Sequence, residues 1–230
     1  MPDAARYCLY FTPPQGSALD RFGSGVIGYD AYSGEAVAPV PLPGANPALR
    51  DAVMQDPRRY GFHATLKAPF RLREELTRDR LLEEVSAYAA RTPPVAVGSL
   101  AVRAIGRFLA LVPAAPNRQL DLWAAEIVAA FDPCRAPMSG EERARRLSKP
   151  LSPRQTALLD RWGYPYVFEE FRFHMTLTGS LTPDRQERWL PALQHLARDL
   201  EPVTIDALTV LEQANPASRF RAVERVPLSG

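Results

Sequence analysis

Short apolar runs alternate with amphipathic stretches along the chain, and prolines punctuate them. Arg6 to Thr12, RYCLYFT, is an apolar run closed by Pro13 and Pro14, which predicts a buried strand. Gly16 to Gly25 has room for a short helix, Val37 to Pro47 reads as a proline-rich loop, and NPALRDAVM carries a helical turn before the strand in YGFHATLKAPF, Tyr60 to Phe70. From Thr77 to Ala90, apolar positions at Leu81, Leu82, Val85, Tyr88 and Ala89 behind a Thr N-cap predict an amphipathic helix. PPVAVGSLAVRAIG and RFLALVP then read as strands.

Asn117 caps a further helix with Leu120, Trp123, Ile127 and Phe131 on one face. Pro133 to Pro150 reads as a charged, mobile connection, and SPRQTALLDRWG as a helix. A strand over Phe171 to Leu177 leads to Thr182-Pro183, a cap and first helical position. The following helix places Trp189, Leu193, Leu196 and Leu200 on one face, with Pro191 expected to kink it or shift its start. PVTIDALTVLEQ and SRFRAVERVPL close the chain as strands.

Written in this way, the elements repeat. RYCLYFTPPQGSALDRF aligns without gaps on RFLALVPAAPNRQLDLW, and each half reads strand, helix, histidine strand, helix, strand. A competing register, LDRFG on LDRWG, places its histidines at unequal distances and is set aside. The expectation is one bilobal domain over residues 1–230, with approximate repeats 6–104 and 107–227.

The two histidine strands carry the candidate chemistry. The chain has three histidines, and two of them stand in the same pattern, HATL at His63 and HMTL at His174; the third, His195, lies in no motif and reads as a solvated surface residue. Alternation puts His63, Thr65 and Lys67 on one face with Phe62, Ala64 and Leu66 opposite, and Arg172, His174 and Thr176 on one face with Phe171, Phe173, Met175 and Leu177 opposite. Two imidazoles near neutral pH can take and give protons on either side of a phosphorus atom. Threonine hydroxyls can donate to phosphate oxygens, and a cation can hold the developing charge. The predicted site is therefore His63, Thr65, His174 and Thr176, with Lys67, Arg172 and Tyr60 binding substrate. Lys67 and Arg172 rest on alternation, against the alternative of solvated edge charges. Tyr60 and Tyr10 would stack on a sugar or base, or else belong to the core.

Composition narrows the class. With 46% hydrophobic residues the chain can bury a core, and 28 Lys plus Arg against 26 Asp plus Glu leave a net charge of +2, too little for a dedicated duplex-DNA binder. Cys8 and Cys134 have neither metal-ligand spacing nor the number for a disulfide framework, and neither histidine strand offers a carboxylate beside its histidine; no metal is expected. The N-terminal stretch lacks a leader pattern and no apolar run spans a bilayer, so a cytoplasmic setting is expected.

The paired His-x-Thr motifs resemble those of the two-histidine (2H) phosphoesterase superfamily, and RYCLYFTPP, YGFHATLKAPF and FRFHMTLTG look like its bacterial branch associated with phosphonate utilisation. The resemblance implies an α+β, bilobal, duplicated fold, with two antiparallel sheets around a central cleft and helices outside. It implies that His63 and His174 are the catalytic pair, with either as the base, and that Thr65 and Thr176 bind phosphate oxygens. The expected activity is that of a metal-independent cyclic phosphodiesterase that needs no cofactor, takes a small phosphorylated sugar or nucleotide, and hydrolyses a small ribosyl cyclic phosphate in phosphonate utilisation. The alternatives are an RNA-end enzyme of the 2'-5' RNA ligase kind, or a non-catalytic phosphate- or RNA-binding module. No membrane or DNA partner is expected.

Overall fold

The computed structural model describes residues 5–148 and 150–230. The first strand, β1 (Arg6–Phe11), is followed by α1 (Ala18–Ile27), whose N-cap Ser17 accepts from Asp20 N and whose C-cap Gly28 is left-handed. Next comes α2 (Pro47–Tyr60), capped by Asn46. The expected helical turn is thus a helix of 14 residues, and Tyr60 is its last residue. The strand β2 (Ala64–Phe70) begins one residue after His63.

The helix α3 (Arg78–Ala89) buries Leu81, Val85, Tyr88 and Ala89, four of the five apolar positions expected to face inward. Then come β3 (Val95–Gly98), β4 (Leu100–Ile105), β5 (Phe108–Pro113) and α4 (Arg118–Ala130), in which Leu120, Trp123 and Ile127 are buried under the Asn117 cap. The segment read as a mobile connection holds a helix, α5 (Gly140–Leu147), started by Ser139. A capping box at Ser152 and Gln155 opens α6 (Pro153–Trp162).

The second histidine strand is shorter than expected: β6 is only Met175–Thr176, because Phe168–Glu170 form a 3-10 turn and residues 171–174 run on without pairing. The last elements are α7 (Pro183–Ala197), β7 (Val203–Ile205), β8 (Ala207–Gln213) and β9 (Arg221–Pro227). Pro191 does not end or delay α7, which runs unbroken from Pro183; Trp189 and Leu193 are buried, whereas Leu196 is exposed, as is His195.

The strands form a seven-stranded sheet in the order β4-β5-β6-β2-β1-β8-β9 and a two-stranded ribbon, β3-β7. Every pairing is antiparallel. The α+β class and its antiparallel sheets are as the sequence predicts, with one refinement. The two histidine strands join edge to edge at β6-β2, so the larger sheet runs through the centre and the second is the small ribbon. The order is symmetric about that junction: β6, β5 and β4 lead away on one side as β2, β1 and β8 do on the other, and β9 is added at one edge. The helices α3, α4 and α7 pack over β8 and β9, over β2, and over β4 and β5. The core gathers β1, β5, β8 and the apolar faces of both histidine strands, including Phe62, Ala64, Leu66, Phe173, Met175 and Leu177.

Candidate active site

The junction of β2 and β6 sets the site. Ala64 pairs with Met175, and both are fully buried. Continuing that antiparallel register by one residue each way sets Thr65 opposite His174 and His63 opposite Thr176. Because side chains alternate, all four occupy the face opposite Ala64 and Met175. The two motifs thus meet head to tail about an approximate twofold through the junction.

Both imidazoles are tethered alike. His63 Nδ1 donates to Gly61 O at 2.9 Å and His174 Nδ1 donates to Arg172 O at 2.7 Å, a bond from each ring to the carbonyl two residues before it. In that tautomer each Nε2 is an acceptor turned away from the backbone. His63 Nε2 is 3.2 Å from Thr65 Oγ1, which donates to it. The first ring also stacks on Tyr10, with centroids 3.8 Å apart and planes 14° apart, while Tyr60 lies 6.0 Å away and itself stacks on Phe220. Burial pushes the His63 pKa down to about 4; the bond to Gly61 works against that shift and the nearby His174 adds to it. His63 is therefore a neutral proton acceptor at pH 7.

A cavity of about 500 Å³ opens beside the second motif. Thr65, His174 and Arg172 supply polar wall, and Ile105, Phe108, Phe171, Tyr164, Tyr166 and Val167 supply apolar wall. The Phe108 and His174 rings lie 5.9 Å apart. At one edge Gln155 Nε2 donates to Glu170 Oε2 at 2.9 Å, and both line the cavity. The turn that brings in Val167 and Glu170 passes through Phe168 at φ 55, a left-handed conformation costly for an aromatic residue.

Of the predicted residues, His174, Thr65 and Arg172 reach the cavity. His63 joins them through its bond to Thr65, and Thr176 shares their face. Tyr60 stands beside His63, not on the cavity wall.

Lys67 is a correction. Tyr10 pairs with Thr65 but Leu9 pairs with Lys67, so an extra residue of β2 bulges between the two pairs. Paired residues share a face and Leu9 and Tyr10 do not, so the bulge turns Lys67 away from Thr65. Lys67 is buried against α4 instead, donating to Val128 O at 2.9 Å and lying 3.6 Å from Asp132 Oδ1. Burial lowers its pKa to about 8, an effect that Asp132 partly offsets.

The sequence reading missed most of the cavity wall. Tyr164, Tyr166, Gln155 and Glu170 come from α6 and the turn after it, and no periodic pattern ties them to the histidines. Among the described residues no three His, Cys, Asp or Glu side chains gather as a metal set, and no helix is long and apolar enough to cross a membrane.

The fold is that of an α+β protein in which two histidine motifs meet on one face of an antiparallel sheet, beside a cavity lined by His174. The chain belongs to the family described as DUF1045, protein of unknown function, whose model matches residues 65–221. It is 40% identical over 231 residues to the ribose 1,5-bisphosphate phosphokinase PhnN of Janthinobacterium sp. (strain Marseille), covering 98% of this chain and 51% of that protein. It is 35% identical over 217 residues to the PhnN of Laribacter hongkongensis (strain HLHK9), covering 94% of this chain and 50% of the relative. The chain spans about half the length of the curated relatives it matches.

These names overturn the activity read from the sequence. A phosphokinase transfers a phosphoryl group, and both relatives carry that name, so the expected cyclic phosphodiesterase and its RNA-end and non-catalytic alternatives are withdrawn.

Proposed function

We propose that this chain belongs to phosphonate metabolism and acts on a phosphorylated pentose, which it holds in the cavity beside His174, over the face where β2 and β6 pair. The arrangement is that of the 2H superfamily, and the approximate repeats 6–104 and 107–227 are the halves of an internal duplication. The observation that carries the reading is the Ala64–Met175 register, which brings two His-x-Thr pairs to one face beside a cavity of about 500 Å³. The symmetric strand order supports the duplication. The relatives' name supplies the substrate class, a ribose carrying phosphoryl groups.

The chemistry follows from the groups present. Arg172 on the cavity wall donates to phosphoryl oxygens, while the Thr65 hydroxyl, whose one proton goes to His63, offers the cavity only its lone pairs. Neutral His63, its Nδ1 proton fixed on Gly61 O, orients the Thr65 hydroxyl through Nε2 and so sets the lone pairs that Thr65 turns to the cavity. His174, with the same tether and a place on the cavity wall, accepts a hydrogen bond at Nε2 from a sugar hydroxyl. The phosphokinase step itself belongs to the longer relatives as wholes. The 230 residues contain no glycine-rich run ending in Gly-Lys-Ser or Gly-Lys-Thr, since the two lysines, Lys67 and Lys149, follow Leu66 and Ser148.

Titration calorimetry of the chain with ribose 5-phosphate and ribose 1,5-bisphosphate tests the reading. Saturable binding is expected, weakened at least tenfold by His174→Ala and by His63→Ala, in line with the loss of charge-assisted or polar contacts worth about 1.4 kcal/mol or more. Absence of binding to both sugars, or full affinity in both variants, would sink it.

A further inference from the structure

The helix α5 is an oddity of the fold: it buries no side chain. Ion pairs hold it in place. Arg143 Nε meets Asp160 Oδ1 at 2.7 Å, while Arg71 Nη2 and Arg146 Nη2 both reach Glu142, at 3.4 and 3.0 Å. A helix without an apolar face gains little from the core, so its place is set by charge.

The Glu142 cluster is unbalanced. Two guanidinium groups share one carboxylate, and the Arg71 and Arg146 side chains are only 26% and 20% exposed. One positive charge is left over where solvent screening is weak. Arg146 Nε is buried and finds no hydrogen-bond partner among the described residues. A buried charged donor left unpaired is costly, and an anion within reach of Arg146 would satisfy it. The Arg146 guanidinium lies 6.0 Å from the centroid of the Tyr164 ring, and Tyr164 forms cavity wall together with Thr65, Arg172 and His174.

We propose that Arg146 and Arg71, behind the Tyr164 wall of the cavity, form a second anion subsite, which takes the distal phosphoryl group of a doubly phosphorylated pentose. This rests on the pentose-phosphate reading above and adds the residues that tell a bisphosphate from a monophosphate. An incoming phosphoryl group brings several acceptor oxygens, enough for Arg146 Nε and for the share of Arg71 that Glu142 leaves unmet. Glu142 is the competitor that holds both arginines in place until the anion arrives.

The test is calorimetry with ribose 5-phosphate and ribose 1,5-bisphosphate on the wild-type chain, Arg146→Ala, Arg146→Lys and Glu142→Gln, with a thermal melt of each. The wild type is expected to prefer the bisphosphate by tenfold or more. Arg146→Ala should collapse that preference to within about threefold, and Arg146→Lys should restore part of it. Glu142→Gln should strengthen bisphosphate binding. Should Arg146→Ala fail to melt cooperatively, the Lys and Gln variants decide. An unchanged preference in the Arg146 variants, or equal losses for both sugars, overturns the subsite while the cleft reading stands. If the wild type binds neither sugar, both fall.

Discussion

The two His-x-Thr motifs share a tether but not an environment. The first is closed: His63 lies flat under Tyr10, Tyr60 stands beside it, and its Nε2 is taken by Thr65. The second is open: His174 faces the cavity with Phe108 nearby, and its residues 171–174 are unpaired backbone. An approximate twofold relates the backbones, and the elements around each strand break it. On the first side α2 runs directly into the motif and brings Tyr60. On the second, the segment after α6 stands off and leaves room for a ligand. A symmetric sheet thus holds one imidazole stacked on a buried tyrosine and one that faces a cavity.

The tether is the strongest place to break the comparison, because it is built differently in the two copies. Gly61 has φ 75, and a Cβ there would sit 2.6 Å from the Ala31 Cβ, whereas Arg172 already carries a side chain. Gly61→Ala is therefore expected to cost about 1–3 kcal/mol of stability from the left-handed backbone alone, plus the clash, and to loosen the His63 ring. Arg172→Ala should leave the His174 tether intact, since the acceptor is a backbone carbonyl. Urea denaturation of the two variants checks this, and equal losses would mean that the motifs are held in the same way.

The shielding of His63 gives a pH signature of intermediate size. Its folded pKa, about 4, lies below the ordinary 6.5, so between those values the unfolded chain binds a proton that the folded chain refuses. The stability from this group is complete above about pH 6.5 and is lost as pH falls toward 4. Tyr60→Ala takes away one wall of the pocket, and the His63 pKa should rise toward 6.5, as read by NMR titration of the ring. A value that stays near 4 would assign the shielding to Tyr10 alone.

How far these features were legible in the sequence depends on how local their causes are. The two motifs, the strands that hold them and most helix caps follow from patterns within ten residues. Lys67 was misplaced because alternation assumes a regular strand, and the bulge opposite Leu9 and Tyr10 is a property of the pair β1-β2. The helix α5 was read as a connection because it has no apolar stripe. Its signals were polar: Ser139 with Glu142 three residues on, and Arg145 and Arg146 in the last turn. The cavity was out of reach, since Tyr164 and Phe108 meet His174 only through the tertiary fold.

The smallest expected effect sharpens the comparison most. Thr65 belongs to both environments: its hydroxyl donates to His63 on the closed side and lines the cavity on the open side. Thr65→Val keeps the shape and β-branching that suit a strand and removes only the hydroxyl. The lost hydrogen bond is worth about 1 kcal/mol, so a modest drop in stability is expected. Without the hydroxyl, a ligand in the cavity would lose the oxygen that Thr65 turns to it and, through it, the contact with His63. Ribose 5-phosphate affinity should then fall about fivefold in Thr65→Val and recover in Thr65→Ser, which restores the hydroxyl. If Thr65→Ser behaves like Thr65→Val, the hydroxyl is not the link between the closed motif and the open one, and His63 must reach the ligand by another path.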